Sequence, residues 1–108
     1  MSEVIADYVQ ENDIPALLSG ELPVMIDCTA SWCGPCKLVS PIMDQLASDY
    51  DGRAKVLKLD LDANKATAKQ YGVKSIPAVL LFKNGELIET LVGVKSYEVY
   101  SAQLDALI

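Results

Sequence analysis

Two cysteines three positions apart, in Trp32-Cys33-Gly34-Pro35-Cys36, are the residues of this chain best placed to do chemistry. An apolar run, Leu22 to Ala30, precedes them and reads as a buried strand; Lys37 to Tyr50 follows and reads as a helix. At such a junction both thiols fall on one side of the first helical turn. That spacing suits a disulfide, whose Cα atoms sit about 4.4–6.8 Å apart. Cys33, at or just before the helix start, faces the unpaired N–H groups of the first turn. Pro35 has none to offer, which leaves Gly34 and Cys36 as donors. With the positive end of the helix dipole they favour a thiolate at Cys33. Cys36, one turn in, is expected to be less exposed. The chemistry this permits is attack by Cys33 on a foreign disulfide, followed by displacement by Cys36.

Two plainer uses compete with that one. A structural staple closing so short a loop would stabilise by only about 2 kcal/mol on the chain-entropy estimate. Half of a zinc site would need a second ligand pair, and the chain has no histidine and only Cys28 besides. Cys-x-x-Cys in a βαβ setting is itself a redox signature, and the redox reading is favoured.

The elements that must position these thiols can be read in order. Val4 to Gln10 is a weak strand, and Asn12 or Asp13 caps a short helix over Pro15 to Ser19, with Gly20 ending it. Leu22 to Ala30 is apolar on both faces, as a central strand covered by helices would be. The following helix contains Pro41, which removes a backbone hydrogen bond and should kink it. Leu38, Ile42, Met43 and Leu46 supply its apolar face. Ala54 to Leu61 reads as a strand, and Ala63 to Tyr71 as a helix capped by Asp62 or Asn64 and stopped at Gly72. Ala78 to Lys83 and Glu86 to Val92 are strands joined by Asn84-Gly85, the preferred type I′ hairpin pair, and so antiparallel. Ser96 caps a last helix in which Tyr97, Tyr100, Leu104 and Leu107 recur at helical spacing. The order βαβαβαββα gives an α/β fold, a mixed sheet with helices on both faces.

Composition bounds what such a fold could serve. A chain of 108 residues is one domain, 1–108, with a single core. The net charge of −6 and nine scattered basic residues argue against nucleic acid or an anionic membrane as partner. No stretch approaches the roughly 20 apolar residues of a membrane span. Met1 to Asp7 lacks the basic and apolar regions of a signal peptide. Three cysteines, two of them pairable, suit a reducing compartment, with the cytoplasm as default.

Asp27, inside Pro23-Val24-Met25-Ile26-Asp27-Cys28, is the most informative charge. Buried on a central strand, its carboxyl would resist ionising and could hold or accept a proton near neutral pH. The useful job is general base for Cys36. An ordinary aspartate at a sheet edge is the other reading. Cys28, next along the strand, should point to the opposite face and behave as a small hydrophobe.

Ile26-Asp27, Ala30, Trp32 to Lys37, Pro41, Lys58, Tyr71-Gly72-Val73, Ile76-Pro77, Phe82-Lys83-Asn84-Gly85 and Val92-Gly93 together closely resemble the thioredoxin family over nearly the whole chain. The resemblance implies a thioredoxin fold of about five strands and about four helices, with the third strand between the first and second. It implies a proton-transfer role for Asp27, with Lys58 close enough to temper its pKa. It implies a cis peptide bond at Pro77, facing the cysteines, with the backbone N–H and C=O of Ile76 turned outward for strand addition by a substrate. Trp32, Gly34, Pro35, Ile76, Gly93 and Val94 would complete a flat, weakly apolar docking surface. Cys28-Thr29 departs from the Phe-Trp that many members carry there, and Ala78 stands where threonine is common.

The activity implied is general protein-disulfide reduction through the Cys33–Cys36 redox pair. No metal or other cofactor is called for. The partners implied are disulfide-bearing proteins and a separate thioredoxin reductase, dependent on NADPH or ferredoxin, with the chain acting as a monomer. An oxidase or isomerase on the same fold is a rival, disfavoured because Gly34-Pro35 places no histidine between the cysteines. A binding module with incidental thiols is the other.

Overall fold

A computed structural model describes residues 4–108. Its secondary structure is β1 (Asp7–Val9), a 3-10 turn (Glu11–Asp13), α1 (Ile14–Leu18), β2 (Val24–Thr29), α2 (Cys36–Asp49), β3 (Lys55–Asp60), α3 (Lys65–Tyr71), β4 (Ala78–Lys83), β5 (Glu86–Val92) and α4 (Tyr97–Asp105). Five strands form one sheet in the order β1-β3-β2-β4-β5. β3 runs parallel to both β1 and β2, while β4 is antiparallel to β2 and to β5. The third strand therefore lies between the first two, as the resemblance implied.

β2 sits at the centre because its side chains can be covered on both faces. Alternation along a strand sends Val24, Ile26 and Cys28 one way and Met25 and Asp27 the other. On the first side they join Ile14, Leu59, Ala78, Leu80 and Phe82 in a core roofed by α1 and α3. On the second side Met25 meets Val56, Val79 and Leu81 beneath α2 and α4, which contribute Val39, Met43, Leu46, Tyr100 and Leu104. Each large apolar side chain fully buried in this way contributes roughly 1.5–3 kcal/mol from its removal from water. The side under α2 is the one that holds Asp27.

Local signals account for most of the boundaries. Gly72 ends α3 in the left-handed conformation at φ 69°, where a side chain would be strained. Asn84 (φ 53°) and Gly85 (φ 81°) both take positive φ, as a type I′ hairpin requires. The capping side chains do other work. Asp13 accepts from the Gln10 N–H at 2.9 Å, and Asn64 binds the Glu11 N–H and the Asp60 carbonyl, tying the turn before α1 to the loop before α3.

Three expectations change. The first strand shrinks to Asp7–Val9 and the second to Val24–Thr29, because only those stretches find ladder partners on β3. α2, which carries Pro41 inside it as expected, begins at Cys36 rather than at Lys37. Leu38 is not part of the α2 core: it is 62% exposed, and Val39 is buried in its place. The buried stripe runs Val39, Met43, Leu46 at i, i+4, i+7, which leaves Leu38 one step round the helix toward solvent.

Candidate active site

The Cys33–Cys36 disulfide closes the junction between β2 and α2, with Cα atoms 5.4 Å apart. Ala30 fixes the approach: its carbonyl accepts the Cys33 N–H at 3.1 Å, making the turn that delivers the chain to the helix. The Cys36 N–H donates to the Cys33 Sγ at 3.2 Å. Of the two donors expected from the sequence, Cys36 is the one that acts; the Gly34 N–H makes no such bond among the described residues. Cys33 and Cys36 are both buried, at 4% and 1% exposure, Cys36 being the less exposed. Gly34 and Pro35 between them are exposed.

Asp27 lies in the sheet on the α2 side, fully buried. Neither carboxyl oxygen has a hydrogen-bond partner among the described residues. Burial pushes its pKa from 3.8 up to about 7; the Lys58 ammonium pulls it back, and the Asp44 carboxylate raises it further. A carboxyl of that kind is protonated in mild acid and ionised in mild base, and so can exchange a proton at neutral pH. Its neighbour Cys28 points into the opposite core, unpaired, and burial together with the adjacent Asp27 charge pushes its thiol up to about 12.

Lys58 is opposite Asp27 in the β2–β3 register and therefore on the same face. Its ammonium nevertheless pairs with Asp44 on α2, at 2.9 Å, rather than with Asp27. It also lies 5.7 Å from the Tyr8 ring centroid on β1, a cation–π distance. Asp44 had no place in the reading of the sequence. The signal was there: Cys36, Ser40 and Asp44 are spaced four apart and share one stripe of α2.

Around the disulfide, Ile76 packs against Ala30, Cys33 and Cys36. The Ile76–Pro77 peptide bond is cis. Pro77 is buried, and its carbonyl accepts the Gly93 N–H at 2.8 Å. Gly93 sits at φ 88°, a conformation that favours glycine, and Val94 beside it is exposed. No backbone group pairs with the N–H or C=O of Ile76 among the described residues. Trp32 is 70% exposed, and its indole Nε1 donates to Asp62 at 3.2 Å. A groove of about 420 Å³ runs between Trp32 and Ile76, floored by Leu61 and Val73 and edged by Lys74 and Ser75. A second, of about 370 Å³, opens beside Cys36 and is lined by Tyr8, Thr29, Ser31, Lys37, Ser40 and Asp60.

The structure thus brings Trp32, Cys33, Gly34, Pro35, Cys36 and Ile76 together, with Pro77 and Gly93 hydrogen-bonded beside them and Asp27 and Lys58 in the sheet on the α2 side. Among the described residues no three histidine, cysteine, aspartate or glutamate side chains gather as a metal site would need. No described helix is long and apolar enough to cross a membrane.

Comparison with known proteins places these features in a group. The family model for thioredoxin matches residues 6–106. A thioredoxin from Pseudomonas aeruginosa is 43% identical over 106 residues, covering 98% of each chain. One from Haemophilus influenzae is 42% identical over 94 residues, 86% of each. Among solved structures, a mutant thioredoxin from Halobacterium salinarum NRC-1 superposes with a TM-score of 0.86 at 30% identity, covering 97% of this chain and 91% of its own.

Proposed function

The chain belongs to the thioredoxin family of thiol–disulfide oxidoreductases, and on that premise we propose a division of labour among its site residues. In the reduced form the Cys33 thiolate attacks one sulfur of a protein disulfide. A Cys33–substrate disulfide forms, and the departing substrate thiolate takes a proton from solvent. Cys36 then gives its proton to the Asp27 carboxylate and attacks the Cys33 sulfur. The Cys33–Cys36 disulfide forms, and the second substrate sulfur leaves as a thiolate that is protonated in turn. Two electrons have passed to the substrate, and the chain departs oxidised.

One observation carries this reading: a disulfide at the start of α2, with a buried and unpaired Asp27 on the sheet face that α2 covers. The Cys36 N–H on the Cys33 Sγ supports the nucleophile, because the same donor stabilises a thiolate there. The cis Pro77, the unpaired backbone of Ile76, Gly93 and the exposed Val94 and Trp32 form the docking surface, where an extended substrate segment adds by backbone hydrogen bonds. Lys58 tempers Asp27 from a distance. Residues 1–108 act as one domain and as a monomer, without cofactor, in the cytoplasm. A thioredoxin reductase drawing on NADPH or ferredoxin restores the dithiol.

The test is turnover of a disulfide-bonded substrate protein with dithiothreitol as electron source. The wild-type chain should accelerate the reduction, and the Cys33→Ser/Cys36→Ser variant should not exceed dithiothreitol alone. Equal acceleration by the double variant would leave a binding module as the better account. A reduction potential at the oxidising end of the family's range would favour the oxidase or isomerase.

A further inference from the structure

The Lys58–Asp44 pair is the one ionic contact in the described residues that joins the sheet to α2. Lys58 reaches it from the register position opposite Asp27, so its ammonium has two carboxylates to choose between. It sits on Asp44, although Asp27 is the more buried of the two and holds no other partner. Asp44 has a second partner. The oxygen that binds the Lys58 Nζ at 2.9 Å, its Oδ1, also accepts the Ala6 N–H at 3.1 Å from the segment entering β1. Asp44 is about one-third exposed, so its charge is sustained by water, whereas Asp27 has none of that support.

We propose that Asp44 is a positioning residue for the exchange reaction, holding the Lys58 ammonium on its own carboxylate so that Asp27 stays unpaired on the sheet face beneath α2. The inference rests on the proton-acceptor reading of Asp27. Without Asp44, the ammonium is free to swing to Asp27, and an ion pair there would fix the carboxylate in its charged form and make it a poor proton acceptor. The groups that face Asp27 are few. β3 brings Lys58, α2 brings Asp44 and begins at Cys36, which is held in a disulfide with Cys33 and does not titrate, α4 brings the Tyr100 phenol, β1 brings Tyr8 beside Lys58, and β4 brings only apolar Val79 and Leu81. Cys28, adjacent on the strand, does not titrate below strong alkali. The balance at Asp27 is therefore set by one cation and one anion, and the anion decides where the cation sits.

The experiment is a carboxyl-carbon NMR titration of Asp27 in the oxidised protein. It compares wild type, Asp44→Asn, Asp44→Glu, Lys58→Gln and the Asp44→Asn/Lys58→Gln pair. Asp44→Asn should lower the Asp27 midpoint by about one pH unit, the effect of a cation brought into contact. Asp44→Glu should restore the wild-type midpoint. In the Lys58→Gln background the drop caused by Asp44→Asn should shrink to less than half, because only direct repulsion between the carboxylates remains to be lost. An unchanged midpoint in Asp44→Asn, or an equal drop with and without Lys58, would overturn the proposal. Asp44→Ser removes the same charge and provides a second reading of it. The pH profile of the resolution step, measured in parallel, separates the two claims. A midpoint that moves without moving that profile supports the charge placement and overturns the proton-transfer role of Asp27. A fixed midpoint overturns the role of Asp44 whatever the kinetics.

Discussion

Asp27→Asn keeps the shape of the side chain and removes its titration, so the difference between variant and wild-type stability isolates what the buried carboxyl costs. Below pH 3.8 the group is protonated in both folded and unfolded chains, and ionisation contributes nothing. Between pH 3.8 and about 7 the unfolded chain has released the proton and the folded one retains it. Because the folded-state pKa is raised, stability present in acid is lost as pH rises through that window, at about 1.4 kcal/mol per pH unit. Above about 7 both states are ionised and the loss stops growing, having reached about 4 kcal/mol. The variant escapes that loss. Urea unfolding of the oxidised proteins from pH 3.5 to 9, compared through midpoints and a common slope, should show Asp27→Asn gaining on wild type steadily up to neutral pH. The gain should then level off. Stability curves that stay parallel across the whole range would refute the claim that Asp27 titrates near 7 in a desolvated site.

The two faces of α2 give the remaining predictions. Leu38→Ala should change stability by less than about 0.5 kcal/mol, because that side chain is largely in water already. Leu46→Ala, which empties a fully buried site between α2 and the sheet, should cost about 2–5 kcal/mol in the same urea assay. A comparable loss from both would mean that α2 sits on the sheet at a different rotation from the one described.

What could be read from the sequence follows from how local each signal is. The Asn84-Gly85 turn carries its own conformational demand, and the strands on either side begin and end where the residues alone place them. The alternation along Val24 to Cys28 separates Asp27 from Cys28 without reference to anything else in the chain. α2 was harder because Leu38 and Val39 are both apolar and adjacent. Either can be put on the buried stripe, and only the seat of the helix on β2 and β3 decides for Val39. The capping positions misled in the same way: Asp13 and Asn64 stand where caps stand, but the Gln10 N–H of its own 3-10 turn claims the Asp13 side chain and the Glu11 N–H claims that of Asn64. The pairing of Lys58 with Asp44 was the least legible. It depends on how far α2 is displaced along the sheet, and a lysine opposite an aspartate in register invites the simpler pairing with Asp27.

The roles of the two cysteines are the centre of the account, and trapping separates them. Each single serine variant, fully reduced, would be mixed with a disulfide-bonded substrate protein and quenched with acid, and covalent adducts would be read by mass spectrometry without reductant. Cys36→Ser should accumulate a substrate linked through Cys33, because attack proceeds and resolution does not. Cys33→Ser should accumulate none. Equal trapping by the two variants, or trapping through Cys36 alone, would contradict the assignment of Cys33 as the attacking thiol and Cys36 as the resolving one.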